Sequence, residues 1–159
     1  MTDMEDVIAR YEAMVYRLAY ANLRSKPCAD DVFQDVFLRY IKKAPEFENE
    51  EHRKAWLIRV TINCCRKITS SAWYRRTVPL DDHDLPWEMP EEWALEEQLR
   101  KLPALYRTVL HLFYYEDLPV DEIARLLKRK PATVRTQLTR ARRLLEQQLK
   151  EEYHHEGHL

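Results

Sequence analysis

Glycine is almost missing from this chain, since the 159 residues include only Gly157. Tight β-hairpin turns and glycine-rich phosphate loops both need glycine at fixed positions. This absence argues against a β-rich fold and excludes a nucleotide-binding loop of either common type. Leu, Glu, Arg, Lys and Ala recur at helical spacing along most of the chain instead, which predicts an all-α protein.

A long hydrophobic run is missing as well. No stretch is apolar enough to cross a bilayer and no signal peptide is recognisable, so we expect no membrane insertion and a cytoplasmic location. The three cysteines are odd in number and badly spaced for a zinc site or a disulfide framework. No carboxylate cluster or Cys/His pair suggests catalysis. We therefore expect neither enzymatic activity nor a bound metal or cofactor.

Opposite charges are segregated along the chain, although the formal net charge is only −1. Residues 81–97 contain eight Asp/Glu and no Lys/Arg, whereas residues 128–143 contain seven Lys/Arg and no Asp/Glu. Three prolines and four acids among residues 77–90 predict an extended acidic linker. The expected organisation is a helical domain at 1–76, the linker at 77–90, a second helical domain at 91–152 and a tail at 153–159.

Residues 117–148 predict two helices joined by a short turn. An apolar stripe in the second helix repeats every three or four residues and contains Val134, Leu138, Ala141, Leu145 and Gln148 or Leu149. The opposite face carries Thr133, Thr136, Thr139, Arg140 and Arg143, with Arg135 and Arg142 on its flanks. A solvated helix face usually mixes charges of both signs, and this one does not. The pattern is typical of a helix-turn-helix whose second helix enters the major groove of DNA.

The turn of this motif, Lys128-Arg129-Lys130, contains no glycine. Helices commonly end on a glycine in the left-handed conformation, which costs a residue with a Cβ atom about 1 kcal/mol. Either Lys128 adopts that conformation or the turn closes differently. Pro131 suits the first turn of the second helix, where its missing N–H would lack a partner in any case.

The N-terminal part predicts three helices. Residues 2–5 have the form of a capping box, and the helix they would start is broken by Ser25-Lys26-Pro27. The second helix, over about 29–43, has a predicted core stripe of Phe33, Val36, Phe37, Tyr40 and Ile41. Its opposite face carries Asp31, Gln34, Asp35, Leu38 and Lys42. Leu38 is either a contact point for a basic partner or an exposed leucine without consequence.

The third helix follows residues 50–53. Its buried stripe is predicted to contain Trp56, Leu57, Val60, Thr61, Cys64 and Ile68. Its far side carries Arg59, Asn63, Arg66 and Ser70, flanked by Lys67 and followed by the cluster at 73–76. Basic, amide and aromatic groups suit a groove for unpaired nucleic acid, where rings stack on bases and cations follow phosphates. A solvated helix that ends in a basic cluster explains the same pattern, and the residues alone do not decide between the two.

The chain resembles bacterial RNA polymerase sigma factors in its arrangement. It has two helical modules that are joined by an acidic proline-rich linker, and the second module contains the C-terminal helix-turn-helix. The resemblance is to the small extracytoplasmic-function (ECF) group of the sigma-70 family, which keeps only the second and fourth conserved regions, and it covers about 7–149. Region two is similar at Asp30-Asp31, Gln34-Asp35 and Phe37, and again at Trp56-Leu57, Asn63 and Arg66-Lys67. Region four is similar at Leu102-Pro103, Tyr106-Arg107, Val109-Leu110, Glu122-Ile123-Ala124, Thr133-Val134 and Arg140-Ala141-Arg142.

The resemblance implies an all-α promoter-specificity subunit with core RNA polymerase and promoter DNA as partners and an anti-sigma protein as regulator. It implies that Asp31, Gln34, Asp35 and Leu38 contact the clamp helices of the polymerase β′ subunit. Opening and reading of the −10 element are implied for Asn49, Arg53, Trp56, Arg59, Asn63, Arg66 and Lys67. Reading of the −35 element, beside docking on the β-subunit flap, is implied for Lys130, Thr133, Arg135, Thr136, Thr139, Arg140 and Arg143.

The chain departs from the family pattern at two points, because it has neither a glycine near Lys128 nor a small polar cap near Pro119. The turn geometry, and with it the choice of base-contacting residues, is therefore left to the structure. A rival interpretation is a helix-turn-helix activator or repressor that is not a polymerase subunit and whose N-terminal half dimerises or senses a ligand. A dimeric repressor needs no long tether, and only a sigma factor is expected to co-purify with core polymerase.

Overall fold

The computed structural model describes residues 4–71 and 101–155, apart from the side chains of residues 104 and 152–155. The chain divides into two compact units, unit 1 (Met1–Asp81) and unit 2 (Asp82–Leu159). In the described ranges all regular structure is helical, which confirms the predicted all-α fold. Residues 2–3 of the predicted capping box, the cluster at 73–76, the linker at 77–90, the start of the helix expected from residue 91 and residues 156–159 of the tail lie outside the described residues. No helix in the described ranges has the length and hydropathy needed to span a membrane.

The described part of unit 1 contains three helices that all contact one another: α1 (Met4–Leu23), α2 (Lys26–Lys43) and α3 (Glu50–Thr69). Its core is formed chiefly by Val7, Tyr11, Val15 and Leu18 of α1, Ala29, Val32, Val36 and Phe37 of α2, and Leu57, Ile58, Thr61 and Ile62 of α3. All three helices are about equally long, so each can contact the other two over much of its length. Each helix keeps an outward side exposed, and the sides of α2 and α3 carry the residues predicted to bind partners.

Side-chain caps determine where α2 and α3 begin. The Ser25 hydroxyl accepts a hydrogen bond from the Cys28 N–H at 3.3 Å. Pro27 occupies the second helical position, where a backbone N–H would have no partner within the helix, so its missing N–H costs nothing. The helix therefore starts three residues earlier than expected from the sequence, because Ser25-Lys26-Pro27 begins a helix as well as ending one. At α3, the Asn49 Oδ1 accepts the His52 N–H at 2.8 Å.

The placement of Ile41 in the core of unit 1 was wrong. Ile41 is 55% exposed, because it lies about 140° round the helix from the fully buried Val36. The sector of α2 that α1 and α3 cover is centred instead on Ala29, Val32 and Val36. The predicted α3 stripe was also shifted, since Ile58, Ile62 and Cys65 are buried whereas Trp56, Val60 and Ile68 are only half-buried.

Unit 2 contains α4 (Ala104–Tyr114), α5 (Val120–Leu127) and α6 (Pro131–His155). The buried apolar side chains of its described part are Leu102, Val109, Leu110, Leu112, Ile123, Ala124, Leu127, Val134, Leu138 and Ala141. The motif residue Arg107 is 1% exposed and donates to the Leu102 carbonyl at 2.9 Å, which ties the start of α4 to the residues before it.

The turn between α5 and α6 closes through a left-handed lysine. Lys128 has φ 55° and ψ 49°, and the N–H of Arg129 reaches back to the Ala124 carbonyl at 2.9 Å, as in helices that end on glycine. Of the two alternatives for this turn, a left-handed Lys128 is therefore confirmed. Pro131 begins α6 as predicted. Pro119 stands at the start of α5 without a side-chain cap.

The last helix extends beyond the two shorter helices it contacts. Val134, Leu138 and Ala141 are buried as predicted, but Leu145 is half-buried and Leu149 is 45% exposed. The reason is length, because α6 has 25 residues whereas α4 has 11 and α5 has 8. The helix continues to His155, so residues 153–155 of the predicted tail are helical.

Candidate protein and nucleic-acid interfaces

The first exposed surface is a stripe along α2, called here the α2 stripe (Asp31, Gln34, Leu38 and Ile41). Leu38 is 51% exposed and Ile41 is 55% exposed, and they are three residues apart on the same side of the helix. Gln34 is exposed one turn before Leu38, and Asp31 is exposed two turns before it. Sequence reasoning found Leu38 but missed Ile41, although its spacing of three from Leu38 was the available signal. Two adjacent exposed apolar side chains are a stronger sign of a protein contact than one.

Asp35 borders the α2 stripe but is also bonded within unit 1. Its carboxylate accepts the Arg39 Nε–H at 3.2 Å and the thiol of Cys64, on α3, at 3.3 Å. Burial alone would raise the pKa of Asp35, but these two hydrogen bonds, with the charges of Arg39 and Lys67, lower it below its ordinary value. Burial, followed by the bond to Asp35, raises the pKa of Cys64 to about 11, so this thiol is a core donor and not a nucleophile.

The second exposed surface is the outward face of α3. Arg59, Asn63 and Lys67 are exposed, and Arg66 is half-buried. Residues 59, 63 and 66 recur at spacings of four and three and so share one side of the helix, as predicted. Exposed cationic and amide side chains on one side of a helix can contact phosphates and base edges of nucleic acid.

The remaining residues predicted for the −10 element lie at the start of α3 and are engaged within unit 1. The Asn49 Oδ1 caps the helix. Arg53 has only 14% of its side chain exposed, and its Nε donates to the Tyr40 hydroxyl at 3.2 Å. Trp56 is half-buried in an aromatic cluster, with its ring 5.9 Å from those of Tyr40 and Phe47. The structure thus places these three side chains beside the exposed α3 face but not on it.

The third surface is the outward side of α6, called here the α6 face. All residues predicted for it are exposed: Lys130, Thr133, Arg135, Thr136, Thr139, Arg140 and Arg143. The hydroxyls of Thr136 and Thr139 donate to the carbonyls of Ala132 and Arg135 at 3.1 and 3.0 Å. Their protons are thus used within the helix, which leaves the oxygen as an acceptor and the methyl group as an apolar contact.

The cations of this region do not all belong to the α6 face. The Arg142 Nε donates to the Tyr114 hydroxyl at 2.7 Å, and its guanidinium carbon lies 5.2 Å from the Phe113 ring centroid. The Arg129 Nη1 donates to the Gln137 Oε1 at 2.9 Å. These two arginines connect α6 to α4 and to the turn, a role that the charge pattern did not reveal. Lys130, Arg135, Arg140 and Arg143 stay exposed, and none of their side chains bonds to an acceptor within the described residues.

A shallow cleft of about 290 Å³ adjoins one edge of the α6 face. It is lined by Leu105 and Tyr106 of α4 and by Ala132, Thr133, Thr136, Gln137 and Arg140 of α6. Leu105 is 41% exposed at the start of α4. The sequence analysis assigned no role to Leu105, whose position beside the recognition helix depends on how α4 packs against α6.

Comparison with known proteins matches both units to one family. The model of sigma-70 region 2 matches residues 7–75, and the model of sigma-70 region 4 matches residues 92–145. RNA polymerase sigma factor SigV of Bacillus subtilis is 29% identical over 86% of this chain and 85% of its own length. The ECF RNA polymerase sigma factor SigW of Bacillus subtilis is 27% identical over 92% of this chain and 88% of its own length.

Solved structures agree at the level of the fold. The sigma factor RpoE, crystallised with the anti-sigma factor NepR from Bartonella quintana, has a TM-score of 0.66 and 19% identity, covering 94% of this chain and 98% of its own. CnrH, solved with the cytosolic domain of CnrY, has a TM-score of 0.61 and 23% identity, covering 93% and 88%. The two family models lie in the expected order and together match most of the sequence, and the relative SigW bears the name of the ECF group. The chain belongs to the sigma-70 family of RNA polymerase sigma factors, in its extracytoplasmic-function group.

Proposed function

We propose that this chain binds core RNA polymerase and directs transcription initiation at promoters that it selects through their −10 and −35 elements. The observation that carries the proposal is that two family-matched units each present an exposed, chemically distinct surface. Unit 1 exposes the α2 stripe, with its two apolar side chains, and the α3 face, and unit 2 exposes the α6 face, whose charged side chains are all basic. Membership of the sigma-70 family assigns core polymerase and promoter DNA as the partners.

The α2 stripe is proposed to contact the clamp helices of the β′ subunit. Leu38 and Ile41 would supply the apolar centre of this contact, while Asp31 and Gln34 would form its polar edge. The high exposure of both apolar side chains supports this proposal, because they contribute little to the core of unit 1. Asp35 is proposed to stabilise the surface from its border through its bonds to Arg39 and Cys64.

The α3 face is proposed to open and read the −10 element. Arg59 and Lys67 would follow phosphates, and Asn63 would contact a base edge. Unpairing a base costs a few kcal/mol, which contacts with the extruded base offset. Asn63→Ala should therefore reduce transcription from duplex promoters more than from templates with a pre-melted bubble. Equal losses on both templates would contradict the assignment.

The α6 face is proposed to enter the major groove of the −35 element. Residues early in a recognition helix approach base edges, whereas later ones meet the backbone. Arg135, Thr136, Thr139 and Arg140 would therefore lie near bases, and Lys130 and Arg143 would contact phosphates. The left-handed Lys128 supports this register, because the turn closes as it does in helices that end on glycine.

Two further partners are proposed for the chain. Unit 2 is proposed to dock on the flap of the β subunit through exposed apolar groups outside the α6 face, namely Tyr114 (53% exposed) and Leu149 (45%). An anti-sigma protein is proposed as regulator, since the structural neighbour RpoE was crystallised with the anti-sigma factor NepR. Core polymerase and an anti-sigma protein would then compete for the exposed surfaces of the free chain.

Run-off transcription with core polymerase on a library of promoters tests the central proposal. The chain should co-purify with core polymerase and direct it to a subset of promoters that share −35 and −10 elements. A chain that bound specific DNA but did not associate with core polymerase would instead be an ordinary helix-turn-helix activator or repressor. A double variant of Arg140 and Arg143 to Ala serves as the matched control, because it should still bind core polymerase while losing promoter selection.

A further inference from the structure

The guanidinium of Arg53 is enclosed by groups from three segments of unit 1. Its Nε donates to the Tyr40 hydroxyl of α2 at 3.2 Å, and its Nη1 donates to the Glu50 carboxylate at the start of α3. Its central carbon lies 5.1 Å from the ring centroid of Phe47, in the connection at 44–49. With 14% of the side chain exposed, Arg53 has little surface left for DNA.

The same contacts extend to α1. The Tyr11 hydroxyl donates to the second oxygen of Glu50 at 2.6 Å, and Arg10 lies 3.6 Å from that oxygen. The bond from Tyr11 lowers the pKa of Glu50, burial opposes the change, and Arg53 lowers the pKa further. Glu50 therefore stays ionised beside Arg53 at neutral pH, and the pair joins α1, α2 and α3.

The 44–49 connection, called here the 44–49 loop, is held by this cluster. The Phe47 ring stacks on Tyr40, with centroids 6.1 Å apart and planes at 12°, beneath the Arg53 cation. The Glu48 N–H donates to the His52 Nδ1 at 3.2 Å, and Asn49 caps α3. The loop is thus tied to α2 and α3 at each of its last three residues, and it adjoins the start of the α3 face.

We propose that Arg53 is a positioning residue that holds the 44–49 loop against the start of α3, so that the α3 face can contact an unstacked base of the −10 element, and that Arg53 does not contact DNA. This inference rests on the −10 function proposed for the α3 face. A planar guanidinium can bond Tyr40 and Glu50 and stack on Phe47 at the same time, whereas a lysine ammonium lacks this fork. A phosphate contact, by contrast, would be satisfied by either cation.

The test uses holoenzyme assembled from the full chain and core polymerase, with fluorescent single-stranded −10 oligonucleotides taken from a promoter that it transcribes. Each nucleotide is replaced in turn by an abasic site, and affinity is measured over a series of salt concentrations. Wild-type holoenzyme should prefer the intact strand to the abasic one at a particular position. Since the loss of one stacked base weakens binding by about tenfold or more, Arg53→Gln and Arg53→Lys should each reduce that preference about tenfold.

Arg59→Gln is the matched control, because Arg59 is an exposed cation on the same helix. Arg59→Gln should lower the salt slope, which is the steepness with which the logarithm of the binding constant falls with the logarithm of the salt concentration, by about 0.7 for single strands. It should keep the base preference. Arg53→Gln should leave the salt slope unchanged. A fall in slope equal to that of Arg59→Gln, or full base preference in Arg53→Lys, would show that Arg53 contacts DNA and would overturn the inference.

A merely structural role predicts a different pattern. Arg53→Gln would then weaken binding to intact and abasic strands by the same factor, with the preference kept, and that result would overturn the inference. Should the variant fail to fold, Tyr40→Phe removes one bond to Arg53 and keeps the ring, and it should lower the preference by a smaller factor. An unchanged preference in Tyr40→Phe would also count against the inference. Wild-type holoenzyme without a preference at any position would refute the −10 function itself, and this inference with it.

Discussion

Removing the two exposed apolar side chains of the α2 stripe should weaken core-polymerase binding without affecting the fold. Leu38 and Ile41 are 51% and 55% exposed, so each has about half of its surface left to bury against a partner. Complete burial of such a side chain contributes about 1.5–3 kcal/mol, so the exposed half corresponds to about 1 kcal/mol for each residue. The double variant L38A/I41A should therefore lose about 2 kcal/mol of binding, which is roughly a 30-fold increase in Kd.

The fold should tolerate this change, because exposed helix positions accept alanine without loss of helix propensity. The free energy of unfolding should stay within about 0.5 kcal/mol of the wild-type value. Asp35 is less suitable for such a test, since Asp35→Lys would remove the acceptor of the Cys64 thiol and place a cation beside Arg39 and Lys67. If an Asp35 variant bound core polymerase more weakly, the cause could therefore be either a lost contact with the polymerase or altered packing between α2 and α3.

The assay is a competition for core polymerase against a labelled wild-type chain, with thermal unfolding followed in parallel. Lys43→Ala is the matched control, because Lys43 is exposed on the same helix but lies about 140° from Leu38. It should compete as the wild type does. If L38A/I41A also competed within about twofold of the wild type while folding normally, the α2 stripe would not be the polymerase contact.

Three further predictions concern the recognition helix, the turn before it and the start of α3. Arg140→Ala should relax the base preference at particular −35 positions, whereas Arg143→Ala should weaken binding to all promoters alike and lower the salt slope by about 0.9. If a promoter-variant transcription series gave the reverse, the proposed order of base and phosphate contacts along α6 would be wrong. Lys128→Gly should raise the free energy of unfolding of unit 2 by about 1 kcal/mol in native-state hydrogen exchange, since Lys128 is left-handed, and Lys128→Ala should give no gain. Tyr11→Phe should raise the pKa of Glu50 in the folded chain, because it removes the bond from the Tyr11 hydroxyl. The ionised Glu50 stabilises the fold fully above its ordinary pKa of about 4.3 and loses this effect as the pH falls through its folded-state pKa. In the variant, this loss should therefore occur at a higher pH than in the wild type. An unchanged Glu50 pKa in a carboxyl NMR titration would contradict this account.

Features that depend on local geometry were readable from the sequence. The period of the apolar residues in α6 identified the buried Val134, Leu138 and Ala141, and the basic side opposite them is exposed as predicted. Pro131 identified the start of that helix, and the missing glycine indicated a left-handed Lys128 as one way to close the turn. These are properties of a single helix and its ends, which neighbouring residues in the sequence determine.

The roles of individual long side chains depended on contacts between residues far apart in the sequence. Arg53 bonds to a tyrosine 13 residues away, the Cys64 thiol to a carboxylate 29 residues away, and Arg142 to a tyrosine 28 residues away. Periodicity shows that one side of a helix is apolar, but the neighbouring helices decide how far the covered sector extends, and they left Ile41 outside it. The sequence by itself therefore determined that the chain is helical, and it determined the apolar side and the basic face of α6. Only the packing of the helices against one another within each unit decided which residues beside those faces are exposed to a partner, because that depends on which distant groups each side chain can reach.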